Sequence, residues 1–121
     1  LLQENMTTHQ VRVYLVNTGW VGASASSGAK RISLPITRQI IHKVLDGSIE
    51  SAECVKDHYF GVQVPKQLEN IREEILLPTN AWKNVDEYHK TAKQLAEKFQ
   101  KNFKQYNIDD PAIYAAGPVI N

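Results

Sequence analysis

Val11-Arg12-Val13-Tyr14-Leu15-Val16-Asn17 runs directly into Thr18-Gly19-Trp20-Val21-Gly22-Ala23-Ser24-Ala25-Ser26-Ser27-Gly28-Ala29, and a helical pattern opened by Pro35 follows. Val11, Val13 and Leu15 alternate with Arg12, Tyr14 and Val16. β-Branched and aromatic residues dominate, so residues 11–17 read as a strand, well buried toward its end. Residues 18–29 read as a long loop. Its three glycines and three serines let the backbone turn sharply or approach a ligand. Lys30 and Arg31 close it. Pro35 suits the first turn of a helix, where a missing N–H costs nothing. Ile36, Ile40, Ile41, Val44 and Leu45 then make one apolar stripe, and Gly47 after Asp46 is the expected stop.

Working outward, residues 1–10 are polar after Leu1 and Leu2 and read as the tail of a helix begun upstream. The first residue is leucine, as expected of a processed product or a fragment of a longer chain. Toward the C-terminus, residues 48–58 are mixed and polar. Tyr59-Phe60-Gly61-Val62-Gln63-Val64 reads as a second short strand stopped by Pro65. Residues 66–83 read as irregular. Ile71 to Leu77 has the makings of a short helix that Pro78 would end. The last long element is the clearest. Asn84 caps it, with Glu87 three residues on completing a capping-box-like pair. Tyr88, Ala92, Leu95, Ala96, Phe99 and Phe103 form the apolar face of this helix, a core or docking stripe, with lysines and glutamines opposite. Residues 107–111 end it, and the small, apolar residues 112–121 read as an extended segment that packs on the rest. Together these elements define an α/β fold of short strands, a short helix and a long C-terminal helix, and 121 residues allow one domain at most.

Composition narrows the function. Fourteen basic residues face thirteen acidic ones, a formal net charge of +1, which gives no basis for nucleic acid or an anionic membrane as partner. Cys54 is the single cysteine, so neither an internal disulfide nor a cysteine-rich zinc site can form. A reducing compartment fits, and the expected location is cytoplasmic. No apolar run nears the ~20 residues that span a bilayer, and the first residues lack the basic start and apolar centre of a signal peptide.

A loop after a strand and before a helix is where α/β proteins bind nucleotides, because backbone N–H groups and the helix N-terminus attract phosphate. The spacing here matches no standard phosphate loop. Gly22 and Gly28 stand too far apart for a Walker A sequence, Ala29 precedes Lys30, and the Gly-x-Gly-x-x-Gly fingerprint is absent. A flexible surface loop and a ligand loop therefore both remain open. Lys30 and Arg31 could neutralise phosphate, an arginine plane could pack on a base, or both could be solvated. The Thr37 hydroxyl could reach a ligand or bond within its own helical turn. His9, His42, His58 and His89 show no metal-ligand spacing. Asp109-Asp110 reads as a turn feature, and Cys54 has no base or helix terminus beside it to activate it. No catalytic constellation and no metal-ligand set is complete.

Several segments, in order, resemble one family, the ATP-dependent phosphoenolpyruvate carboxykinases. Leu15-Val16-Asn17-Thr18-Gly19-Trp20 is similar to the family's Leu-Val-Asn-Thr-Gly-Trp. Gly28-Ala29-Lys30-Arg31-Ile32, with Thr37-Arg38 and Ile40-Ile41, is similar to its Gly-x-Lys/Ser-Arg-Ile stretch and the Thr-Arg-Ala-Ile-Ile after it. Phe60-Gly61-Val62-Gln63-Val64-Pro65 resembles Phe-Gly-Leu-Gln-Val-Pro. Glu74-Ile75-Leu76-Leu77-Pro78, with Trp82 soon after, resembles Ile-Leu-x-Pro-Arg-Asn-Thr-Trp/Tyr. Leu95, Ala96, Phe99, Asn102 and Phe103 follow the family's helical run, and Ala115-Ala116-Gly117-Pro118 resembles a common family ending. The likeness covers residues 11–118.

The resemblance implies that residues 1–121 are a partial C-terminal, mononucleotide-binding domain of a larger enzyme. That enzyme is a lyase of gluconeogenesis. It decarboxylates oxaloacetate and transfers the γ-phosphoryl of ATP, giving phosphoenolpyruvate, carbon dioxide and ADP. Mg2+ accompanies the nucleotide, and a second ion such as Mn2+ bridges substrate and phosphate. Arg31, Ile32 and Thr37 match the family's adenine-site residues: Arg31 packs its guanidinium on the base, and Ile32 and Thr37 close the pocket. Lys30 is not carried over. The family's phosphate loop, metal ligands and oxaloacetate-binding arginine lie upstream and have no counterpart here, so the chain alone is expected to be inactive. Strand edges and apolar faces left uncovered favour self-association. The rival expectation is a stand-alone, non-catalytic module that binds adenine nucleotide or another protein.

Overall fold

A computed structural model describes residues 2–24 and 27–120. Ala25 and Ser26, in the middle of the expected loop, lie outside the described residues, as do Leu1 and Asn121. Helix α1 (Leu2–His9) ends where Gln10 turns left-handed, with φ 48°. The expected strand at residues 11–17 does not form. Val11, Val13 and Leu15 are exposed at 50%, 52% and 84%. A strand is held by ladder bonds to a neighbour, and no described segment pairs with this one. It is tethered from one side only: Arg12 pairs with the Glu50 carboxylate, and the Tyr14 hydroxyl donates to the same group at 3.0 Å.

The expected loop contains a hairpin instead. Strands β1 (Trp20–Val21) and β2 (Lys30–Arg31) pair antiparallel, Trp20 opposite Arg31 and Val21 opposite Lys30. Helix α2 (Leu34–Leu45) follows, with Ser33 at its N-cap position and Pro35 in its first turn as expected. Gly47 at φ 78° stops it, and a 3-10 turn, Ser48–Ser51, comes next.

A second antiparallel pair joins β3 (Cys54–Lys56) to β4 (Gln63–Pro65). The second strand is therefore shorter than expected, because residues 57–61 are a turn. Asp57 organises it: its carboxylate accepts the backbone N–H of Tyr59 at 3.0 Å and of Phe60 at 2.6 Å. Pro65 sits inside the strand at its last position, where its missing N–H breaks little of a short ladder. Where an irregular stretch was expected there are two single helical turns, α3 (Glu73–Leu76) and α4 (Pro78–Ala81). Pro78 separates them and starts the second.

The spine is α5 (Val85–Phe103), capped by Asn84, whose Oδ1 accepts the N–H of Asp86 at 3.0 Å and of Glu87 at 3.2 Å. Such a cap is worth about 1 kcal/mol. A 3-10 turn, Lys104–Tyr106, and left-handed Asn107 (φ 45°) end it. The tail is not simply extended: Asp110 caps a last short helix, α6 (Pro111–Ala115).

On α5, Ala92 and Ala96 are buried, while Leu95 and Phe99 are half exposed. The turn at 57–61 lies over this helix, with the Phe60 and Phe99 rings 6.0 Å apart and those of Tyr59 and Tyr88 6.4 Å apart. The tail is pinned alongside: Gln100 donates to the Pro118 carbonyl at 2.7 Å, and Val119 N–H to the Tyr59 carbonyl at 2.7 Å. The core is thin. Ile32, Tyr59, Ile71, Ala92 and Ala96 are its buried apolar residues, and Leu34 and Leu45 remain 70% and 77% exposed. No described helix is long and apolar enough to cross a membrane.

Candidate functional site

The hairpin is set by Asn17. Its Oδ1 accepts the N–H of Gly19 at 2.9 Å, and its Nδ2 donates to the Trp20 carbonyl at 3.3 Å. This Asx turn aims β1 back toward β2, and the ladder continues as Ile32 N–H donates to the Gly19 carbonyl at 2.9 Å. Gly22 then makes the contact that shapes the site. Its φ is +86°, and a Cβ there would lie 3.0 Å from the Ala81 carbonyl oxygen. Only glycine lets the hairpin close so tightly on the end of α4.

Between the hairpin, the start of α2 and the segment 81–87 opens a cleft of about 610 Å³. That volume lies within the range that holds small-molecule ligands. Val21, Ile32, Ile36 and Ile75 supply apolar wall, and Trp82 is the one aromatic lining residue. Lys30, Arg31, Arg72 and Lys83 line it against Glu74 and Glu87. Arg72 Nε lies 4.0 Å from a Glu74 oxygen. Lys30, Arg31 and Lys83 have no ion-pair partner among the described residues. An open cleft with apolar walls and three unpaired cations suits an anionic ligand with an apolar or aromatic part.

Of the expected site residues, Arg31 and Ile32 both line this cleft. Arg31 is exposed and Ile32 is 5% exposed. Thr37 is 8% exposed in the first turn of α2, where its N–H donates to the Ser33 carbonyl at 3.0 Å, and it is not part of the lining. Arg72, Trp82 and Lys83 carried no signal in residue spacing. They enter the site because α3 and α4 fold back beneath the hairpin, a contact between segments far apart in sequence. Among the described residues, no group of three or more His, Cys, Asp or Glu side chains could hold a metal ion.

A cleft lined by unpaired cations has the chemistry to take an anion, and sequence relatives narrow the reading. The profile of the family described as phosphoenolpyruvate carboxykinase matches residues 1–74. The chain is 48% identical over 106 residues to the phosphoenolpyruvate carboxykinase (ATP) of Leptospira biflexa, covering 88% of this chain and 20% of that protein. It is 45% identical over 122 residues to that of Sulfurimonas denitrificans, covering 99% of this chain and 23% of the relative. With that of Oceanobacillus iheyensis it shares 37% identity over 119 residues, 98% of this chain and 22% of the relative. The chain belongs to the phosphoenolpyruvate carboxykinase family. It spans about a fifth of the length of these relatives.

Proposed function

We propose that this chain is the C-terminal part of an ATP-dependent phosphoenolpyruvate carboxykinase and forms the adenine side of its mononucleotide-binding domain. The observation that carries this reading is the meeting of Arg31 and Ile32 in a cation-lined cleft of nucleotide-compatible size. Arg31 lays its guanidinium on the base, and Ile32 supplies apolar wall. Thr37, buried in the first turn of α2 and not itself on the cleft surface, supports the pocket by fixing the start of that helix.

The whole enzyme turns oxaloacetate and ATP into phosphoenolpyruvate, carbon dioxide and ADP, a decarboxylation that serves gluconeogenesis in the cytoplasm. Phosphoryl transfer depends on positioning and charge neutralisation, and Mg2+ and Mn2+ supply much of the latter when bound. Their ligands and the oxaloacetate site belong to other parts of the enzyme. This chain contributes binding and orientation of the nucleotide, and it has no turnover by itself.

Calorimetry of the chain with ATP, beside Arg31→Ala, tests the reading. Saturable binding that the variant loses supports it, whereas binding unaffected by the substitution overturns the role of Arg31. Carboxykinase turnover by the purified chain would contradict the assignment of chemistry to the rest of the enzyme.

A further inference from the structure

Trp82 stands in the cleft wall with no role in the adenine reading so far. Its backbone N–H donates to the Pro78 carbonyl at 3.2 Å, closing the turn of α4. The residue before it, Ala81, is the one that Gly22 presses against. Trp82 is thus held in the same wall as the hairpin. Its ring meets Tyr88 of α5 at 5.9 Å between centroids, with the planes inclined by 62°. A T-shaped contact of this kind occupies at most one face of the indole, and the side chain also lines the cleft. Trp20, by contrast, is 50% exposed and is not part of the lining.

We propose that the indole of Trp82 is the stacking platform for the purine base in this cleft, with Tyr88 as the positioning residue that sets the ring. The inference rests on the nucleotide reading above and adds an aromatic wall to it. The base then lies between the Arg31 guanidinium and the indole, two planar groups that both favour a π-face. Lys30 and Lys83, flanking the same cleft, remain free to meet the phosphates.

The test titrates the chain, Trp82→Ala and Trp82→Phe with three probes: ATP, adenosine and inorganic tripolyphosphate. Loss of one base-stacking side chain weakens binding about tenfold or more. Trp82→Ala is expected to lose that much affinity for ATP and adenosine and to keep its affinity for tripolyphosphate, while Trp82→Phe recovers most of the loss. Equal loss for all three probes, or none for ATP, overturns the proposal. Trp20→Phe leaves Trp82 as the only emitter of the two tryptophans and keeps the test independent of the alanine variant's folding. Quenching that saturates with ATP and adenosine is expected, and unchanged emission at saturating ATP overturns the platform. If ATP binding is lost in Arg31→Ala but untouched in Trp82→Ala, the platform alone fails. If the unsubstituted chain binds no nucleotide, the platform fails together with the reading beneath it.

Discussion

The Tyr59 hydroxyl lies 2.9 Å from Nδ1 of His89, and this bond ties the turn before β4 to the long helix α5. Tyr59 is 6% exposed, and its carbonyl also accepts the N–H of Val119, so one residue joins three segments of a thin core. Tyr59→Phe is expected to cost about 1 kcal/mol, the net value of one hydrogen bond. Tyr59→Ala adds a cavity and costs about 3–5 kcal/mol. Urea denaturation checks both. His89→Ala combined with Tyr59→Phe should cost less than the sum of the two single losses, because both remove the same bond. Strict additivity would mean that the pair is not coupled.

Gly22 controls the cleft through its backbone. An alanine there must hold a φ of +86° and also clear the Ala81 oxygen at 3.0 Å. The left-handed conformation alone costs about 1–2 kcal/mol. Gly22→Ala is expected to lower stability by at least that amount and to weaken ATP binding as the hairpin lifts from α4. Gly47 shares the positive φ, 78°, but has open space where its Cβ would go and stands outside the cleft lining. Gly47→Ala should therefore cost stability with little effect on binding. Equal binding losses in the two variants would remove the Gly22–Ala81 contact as the shaping feature.

Burial first, and then the nearby Asp57 and Tyr59, together push the Tyr88 phenol up to about 12. An unfolded tyrosine titrates near 10. The folded value is the higher, so the unfolded chain loses this proton first as pH rises. The stability tied to Tyr88 is whole below pH ~10 and is lost as pH climbs through about 12. Thermal melts between pH 9 and 12 are expected to show a steeper decline for the unsubstituted chain than for Tyr88→Phe. Parallel declines would contradict the linkage.

Val13 and Leu15 present an apolar edge at 52% and 84% exposure, while Arg12 and Tyr14 are held by Glu50 on the other side. An unpaired segment of this pattern invites pairing with another chain. The chain is expected to self-associate as its concentration rises, and Val13→Lys with Leu15→Lys should shift it toward monomer in sedimentation velocity. A sedimentation coefficient independent of concentration in the unsubstituted chain would count against this edge as a pairing surface.

The two longer helices were legible in the residues themselves. Pro35 and Gly47 frame α2 within a residue or two, and Asn84 caps α5, which ends at Phe103, four residues before the expected stop at Asn107. Helical hydrogen bonds join residues four apart, so caps, stops and apolar spacing carry the whole signal locally. The family was legible for a related reason: its motifs lie in short contiguous runs such as Asn17-Thr18-Gly19-Trp20 and Lys30-Arg31-Ile32.

What the tertiary structure alone decided is everything that needs a distant partner. Residues 11–17 have the alternation of a strand, yet alternation states which face is apolar and cannot supply the neighbour that completes a ladder. The β1–β2 hairpin was hidden in a loop-like stretch because its strands are two residues long, and its pairing depends on the Asn17 turn. The cleft itself exists only because Gly22 closes on Ala81, bringing Arg31 and Ile32 into one wall with Trp82 and Lys83. Local residue chemistry specified the two longer helices and the motifs; close approach of segments far apart in the chain, which no local pattern encodes, made them into a site.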